Sequence, residues 1–409
     1  MNRINQKNDT NIDLVFLLYW GVLVLWQSVN PGGAGSFADT AIKSLLILFL
    51  VGYYFFHIST FSGGAAVLAV LFGLNMALAF SSEPSVTLRT VLTYFFPVAF
   101  VFLSCCTGGG FHITRRKLLR FMRAIILIVL YMAVYALIDT PEKFFGALSV
   151  SGAYGNELSS FLISNFEYGI YLMAGITACI VCVELDSKKG RLISLFYTGA
   201  LCLFLVNLIL TYSRTSILIT LVIIFSYALL NRKSRFAKGV LLVCFLGCFL
   251  IFSVAELRRF FFETVFKGNN LAGRDTLASL AVEVFRSGSL REKLWGQGAT
   301  PMAGLFREET DHASVHNGYL QILLYFGIVP LCFLVLFLLV HLATAGLFVK
   351  RNLFIGVLSI GLLLACALAM VSTTACLFAS SIDSFFLTMF TVLVPKYVRN
   401  AIRDGVFDG

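Results

Sequence analysis

The sequence predicts an all-α polytopic membrane protein of about twelve transmembrane helices, with one large outward loop between spans nine and ten that holds short amphipathic helices. Three observations carry this. Hydrophobic residues make up 59% of the chain and charged residues only 13%, about half the charged fraction of an ordinary soluble domain. Apolar runs long enough to cross a hydrocarbon core, about 20 residues each, recur along almost the whole length. These runs lack two-residue alternation, which excludes an outer-membrane barrel.

Taken in order, the spans fall at roughly 13–29, 41–57, 64–80, 89–106, 121–138, 161–183, 192–210, 215–230, 239–255, 318–341, 353–371 and 374–394. The first is preceded by Arg3 and Lys7 and followed by small residues at Gly33 to Ser36, as a secretory signal would be. Its apolar part is long and aromatic, with Phe16, Tyr19, Trp20 and Trp26, and reads as an uncleaved span. Three regions result: 1–255 with spans one to nine, 256–315 as the large loop, and 316–409 with spans ten to twelve and a C-terminal tail.

Basic residues set the orientation. With both termini cytoplasmic, the inner segments hold Arg115, Arg116, Lys117, Arg120 and Arg123, then Lys188, Lys189 and Arg191, then Arg232, Lys233, Arg235 and Lys238, besides those near the termini. The short outer segments hold only Lys43, Arg89, Lys143 and Arg214, as the positive-inside rule requires. The 256–315 loop then faces outward. Its basic and acidic residues are equal in number, so it is no polybasic lipid-binding tail. The overall basic excess, 31 against 21, follows from topology and not from nucleic-acid binding, because no basic stripe interleaved with aromatics occurs.

The loop carries its own order. Leu277, Leu280, Ala281, Val284 and Phe285 recur at three and four residues opposite Thr276, Ser279, Glu283 and Arg286, which predicts a short amphipathic helix from near Asp275, just after Arg274. Trp295 to Gly298 reads as a tight turn, and Pro301 to Thr310 as irregular chain leading to His316. The ten cysteines lie in or beside apolar runs and read as packing residues. Cys179 and Cys182 form a C-x-x-C inside a span without a second pair or a nearby histidine, which speaks against a metal or redox site.

Polar residues at the outer boundary are the candidates for chemistry. From Leu192 to Leu230 the chain is almost continuously apolar, interrupted only by Thr211 to Ser216, so two spans meet at Arg214. By parity this turn faces outward, and span eight presents a helix N-terminus there, with Ser213 as the cap. An arginine beside unsatisfied N–H groups suits an anion, phosphate above all; the plain alternative is an arginine snorkelling to the headgroups. Span ten also runs inward from the outer boundary, placing His316 at the level of Arg214. His316, Leu320, Leu323 and Gly327 would share one helical face. His316 and Asn317 read first as a helix cap; with Arg214 and Arg274 at the same level, they also read as a proton acceptor beside an anion site. The outer loop before span six contains Tyr154 to Glu157, with Asn165 and Glu167 just inside the span.

These pieces resemble the bacterial O-antigen ligases and the related O-antigen and exopolysaccharide polymerases. The matching stretches are Ser213-Arg214-Thr215, Gly273-Arg274-Asp275, the glycine turn at 296–298, and His316-Asn317-Gly318-Tyr319-Leu320 followed by Gly327, in that order over about residues 192–345. The resemblance implies a bacterial inner-membrane enzyme that transfers a glycan from an undecaprenyl-diphosphate-linked donor to a sugar hydroxyl at the periplasmic face, with inversion and with neither metal nor cofactor. The acceptor would be a second lipid-linked glycan in a polymerase or lipid A-core in a ligase. In that setting Arg214 and Arg274 would bind the diphosphate and stabilise its developing charge, and His316 would be the base for the acceptor hydroxyl. Ser213, Tyr212, Asn317 and His312 would have supporting roles, and Glu167 is a candidate for the acceptor site. A secondary transporter or flippase is the rival, although such proteins show internal repeats and helices broken at mid-membrane.

Overall fold

The computed structural model describes residues 12–31, 37–56, 63–80, 114–139, 157–162, 165–186, 190–231, 234–259, 274–310 and 315–351, with a few positions outside these stretches. All regular structure among the described residues is helical. The helices are α1 (Ile12–Val29), α2 (Phe37–Phe55), α3 (Gly63–Phe80), α4 (Arg115–Ile138), α5 (Asn165–Asp186), α6 (Arg191–Leu210), α7 (Arg214–Leu230), α8 (Arg235–Ser253), α9 (Ala255–Arg259), α10 (Arg274–Ser287), α11 (Leu290–Trp295), α12 (Ala299–Thr310), α13 (Gly318–Phe326) and α14 (Ile328–Arg351). Five segments are long and apolar enough to cross a membrane: Arg115–Ile138, Asn165–Asp186, Leu192–Leu210, Phe236–Ser253 and Ile328–Leu347. The protein is therefore a multi-pass membrane protein. The expected span at 89–106 and those at 353–371 and 374–394 lie mostly or wholly outside the described residues.

Helix α5 is the centre of one bundle. It is apolar all round and buried from Tyr168 almost to its end, as a helix surrounded by others must be. It packs against α4, α6 and α7. Two glycines allow the close approach: a Cβ on Gly175 would lie 2.7 Å from Phe204 of α6 and 2.8 Å from Val129 of α4, and one on Gly169 would lie 2.4 Å from the Ser216 hydroxyl of α7. Small residues at such crossings are how membrane helices gain packing energy without a hydrophobic driving force between them. The Trp20 ring of α1 stacks on Tyr171 at 5.6 Å between centroids, and Tyr131 of α4 donates to the Ser28 hydroxyl at 2.8 Å.

Polar contacts define the two ends of this bundle. At one end Arg123 of α4 pairs with Asp186 of α5, while the Tyr197 hydroxyl of α6 accepts from Arg123 at 2.7 Å and donates to Asp186 at 2.9 Å. Tyr227 of α7 and Ser234, the cap of α8, both donate to Glu184 of α5. At the other end lie the C-terminus of α6 and the N-termini of α5 and α7, joined by the contacts described below. Adjacent helices from α4 to α8 thus alternate in direction, and α8 delivers the chain to the end that bears Arg214.

The expected amphipathic helix in the large loop is α10, with Leu277 and Ala281 buried. Two readings of this region are corrected. Pro301 to Thr310 is helical, within α12. Pro301 is its third residue, where no intrahelical N–H is required, and Met302 and Phe306, one turn apart, bury a common face. The tenth span is not one helix: it breaks at Gly327, whose φ of 88° lies in the left-handed region, into the nine-residue α13 and the long α14. Both halves are apolar, so hydropathy alone does not reveal the break. Helix α13 packs against α3, α10, α11, α12 and α14.

Candidate functional site

The turn between α6 and α7 is tied by its own polar groups. Thr211, fully buried, donates its hydroxyl to the Leu208 carbonyl at 2.7 Å and accepts from the Ser213 N–H at 3.1 Å. Tyr212 then turns the chain with φ of 52°, a conformation costly for a bulky L-residue. Ser213 occupies the N-cap of α7, as expected, yet its side chain does not cap. Its hydroxyl pairs instead with that of Ser216 at 2.9 Å, so the capping role expected of Ser213 belongs to its backbone position only. Arg214 is the first residue of α7, at the positive end of the helix dipole.

The loop before α5 and the start of α5 clasp this turn from the side. The Asn165 amide donates to the Thr211 carbonyl at 2.9 Å, and the Leu158 N–H donates to the Leu210 carbonyl at 3.1 Å. One turn deeper, Tyr168 donates to Asn207 of α6 at 2.9 Å. Glu157 precedes Leu158, and its carboxylate acts on Tyr212: burial first and the Glu157 charge second push the Tyr212 phenol above its ordinary range. Tyr212 is accordingly a proton-bearing donor. Glu167, in the first turn of α5, lies at the same end. Asn165 had no assigned role from sequence; an amide at the first position of an apolar span was the signal available.

His316 lies outside the helix that follows it. Its φ is 51° and Asn317, not His316, is the N-cap of α13. The Asn317 carboxamide oxygen accepts from the N–H groups of Tyr319 and Leu320, each at 3.0 Å. The capping reading therefore holds for Asn317, which commits its oxygen to the helix. The predicted stripe from His316 through Leu320 and Leu323 to Gly327 is corrected: the left-handed turn takes His316 off that face. His316 is partly buried, next to the buried Val315. Tyr319 anchors the start of α13 by donating to the Ala367 carbonyl at 3.0 Å.

Arg274 opens α10, and α10 packs on α13, so the helices that begin at Arg274 and just after His316 are direct neighbours. The Arg274 side chain and the whole of His312 lie outside the described residues. The structure assembles the candidates in two groups: Tyr212, Ser213 and Arg214 with Glu157, Asn165 and Glu167 on α5 to α7, and His316 and Asn317 with the loop helices on α13. Among the described residues, the non-glycine residues with positive φ are Ser160, Tyr212 and His316. Two of them belong to the polar turns singled out from sequence, and strained backbone of this kind gathers at working sites.

Residues 199–335 match the family model described as O-antigen ligase. No curated protein matches the chain. The matched segment includes Tyr212, Ser213, Arg214, Arg274, His312, His316 and Asn317, and leaves Glu167 outside. Over this segment the resemblance to the O-antigen ligase and polymerase family is borne out.

Proposed function

We propose, from an O-antigen ligase segment that contains both polar turns, that this protein is a membrane glycosyltransferase. It moves a glycan from undecaprenyl diphosphate to a sugar hydroxyl at the outer face of the bacterial inner membrane. The observation that carries this reading is Arg214 as first residue of α7: the serine before it leaves the first-turn N–H groups without a side-chain cap. An anionic leaving group would find a guanidinium and a helix N-terminus together there. Arg274, opening α10, would supply the second guanidinium. His316, held beside the capped end of α13, would take the proton of the attacking hydroxyl as the anomeric C–O bond to the diphosphate breaks. Attack opposite the leaving diphosphate inverts the anomeric carbon, and no step calls for a metal or cofactor. The rival transporter reading gains a broken helix at Gly327, but that break is covered by the loop and gives no account of Arg214.

The acceptor is assigned as a second lipid-linked glycan, which makes the protein a repeat-unit polymerase for O-antigen, capsule or exopolysaccharide. Its support is charge: the loop is neutral overall and the short outer segments are poor in Lys and Arg, whereas a lipid A-core acceptor is heavily phosphorylated and calls for a basic surface. The description of the matching family model favours the second reading, a ligase. Purified protein given only undecaprenyl-diphosphate-linked repeat units should make polymer unaided. No product under those conditions, with transfer restored by lipid A-core, establishes the ligase instead. No transfer to either acceptor refutes the glycosyltransferase reading.

A further inference from the structure

The turn that ends α11 and the break that ends α13 meet backbone to backbone. Gly296 and Gly327 are both buried, with φ of 82° and 88°. A Cβ on Gly296 would lie 2.3 Å from the Tyr325 carbonyl oxygen, and one on Gly327 would lie 2.2 Å from that of Leu294. Two hydrogen bonds close the contact: the N–H of Gln297 donates to the Leu324 carbonyl at 2.9 Å and that of Gly298 to the Tyr325 carbonyl at 3.1 Å. Because α13 stops at Phe326, its last carbonyls have no partners within the helix; the loop supplies the donors. Helix α11 also packs on α3 and α14. The turn is thus held between helices, about 13 Å along α13 from the Asn317 cap.

We propose that Gly296 and Gly327 are positioning residues of the transfer reaction. Their contact fixes the inner end of α13, and α13, a rigid rod of nine residues, sets His316 at its outer end. This rests on the glycosyltransferase reading, in which His316 receives the acceptor proton. Neither glycine touches substrate. Each acts through backbone contact that any side chain would open, and an error of about 1 Å in a reacting group costs on the order of 100-fold in rate.

The test compares Gly327→Ala with two references in purified protein. Gly327→Ala should lower kcat about 100-fold with a much smaller change in the KM for lipid-diphosphate donor, because the Arg214 turn is built on α5 to α7. Amide exchange at Gln297 and Gly298, whose N–H groups are bonded to carbonyls of α13, should be protected in the parent chain and accelerate in Gly327→Ala. Gly304→Ala, at a glycine with open space around it, should keep full activity. Wild-type kcat in Gly327→Ala with these two amides still protected overturns the proposal, as does a rise in KM alone. Should Gly327→Ala fail to reach the membrane, Gln297→Pro, which deletes the N–H donor to the Leu324 carbonyl and sets its ring Cδ against that oxygen, decides. Lowered kcat at normal abundance supports the clasp, and full kcat refutes it. Wild-type protein and His316→Ala separate the two levels of inference: no transfer by the wild-type protein refutes the glycosyltransferase reading, full transfer by His316→Ala removes the group that the clasp would position and overturns the proposal, and an inactive His316→Ala in an active parent leaves a failure of Gly327→Ala to concern the clasp alone.

Discussion

Replacing His316 by asparagine separates chemistry from backbone. His316 sits at φ 51°, where an ordinary L-residue costs about 1–2 kcal/mol, while glycine and, in part, asparagine enter that region readily. His316→Ala therefore changes two things at once, and His316→Asn and His316→Gly change mainly one. The backbone effect bounds the stability change: His316→Gly should leave the thermal midpoint equal or slightly raised, because the turn is relieved by about 1 kcal/mol at most. Loss of a general base is worth about 10²- to 10⁴-fold in rate, or about 3–5 kcal/mol of barrier at 1.36 kcal/mol per tenfold. This exceeds anything the turn alone supplies. Single-turnover transfer from a lipid-diphosphate-linked glycan, measured beside the unfolding midpoint, resolves both quantities. The asparagine and glycine variants should be equally stable and equally slow. If either transfers glycan within a few-fold of wild type, the residue serves the turn, and His316 leaves the mechanism.

Other outcomes follow from the same geometry. Arg214→Lys and Arg274→Lys should both slow transfer although charge is kept, since an ammonium cannot make the planar two-point contact with diphosphate oxygens; full rates in both would return the arginines to topology. Asn165→Ala removes the donor to the buried Thr211 carbonyl, which should cost about 1–3 kcal/mol and loosen the Tyr212–Arg214 turn, read as a lower unfolding midpoint with weaker donor binding. Gly169→Ala would set a methyl 2.4 Å from the Ser216 hydroxyl, and overpacking of this kind costs about 1–3 kcal/mol. Ser216→Gly in the same chain should recover part of the midpoint, and a midpoint no higher in the double variant contradicts the α5–α7 contact. Glu292 is held below the usual carboxylate range, first by the Ser289 N–H and then by the Ser289 side chain, in a capping box at the start of α11. A depressed carboxylate contributes stability above its unfolded value, so protection of the α11 amides, taken relative to intrinsic exchange at each pH, should be full at neutral pH and fall as the pH drops below about 4. Ser289→Ala, worth about 1 kcal/mol, should produce the faster exchange already at neutral pH.

Much of this molecule is written locally. Apolar run length and the bias of basic residues suffice for a helical membrane protein and for the break at Thr211 to Ser216, because crossing hydrocarbon requires an unbroken apolar helix and a polar interruption has to be a boundary. The three- and four-residue recurrence around Leu277 likewise locates α10, since that helix buries one face only. His316 and Arg214 also stand out in the sequence as polar exceptions beside apolar runs. The tertiary structure alone decides what holds them. The turn at Tyr212 is clasped by Asn165 and Leu158 from a different helix hairpin, and these bonds between residues far apart in the chain leave no periodic trace. The break at Gly327 is invisible to hydropathy because both sides of it are apolar. It exists because a second glycine, at 296, brings backbone donors to carbonyls that α13 leaves open. A glycine in a span is compatible with an unbroken helix; only the presence of that partner backbone makes the left-handed turn the lower-energy state.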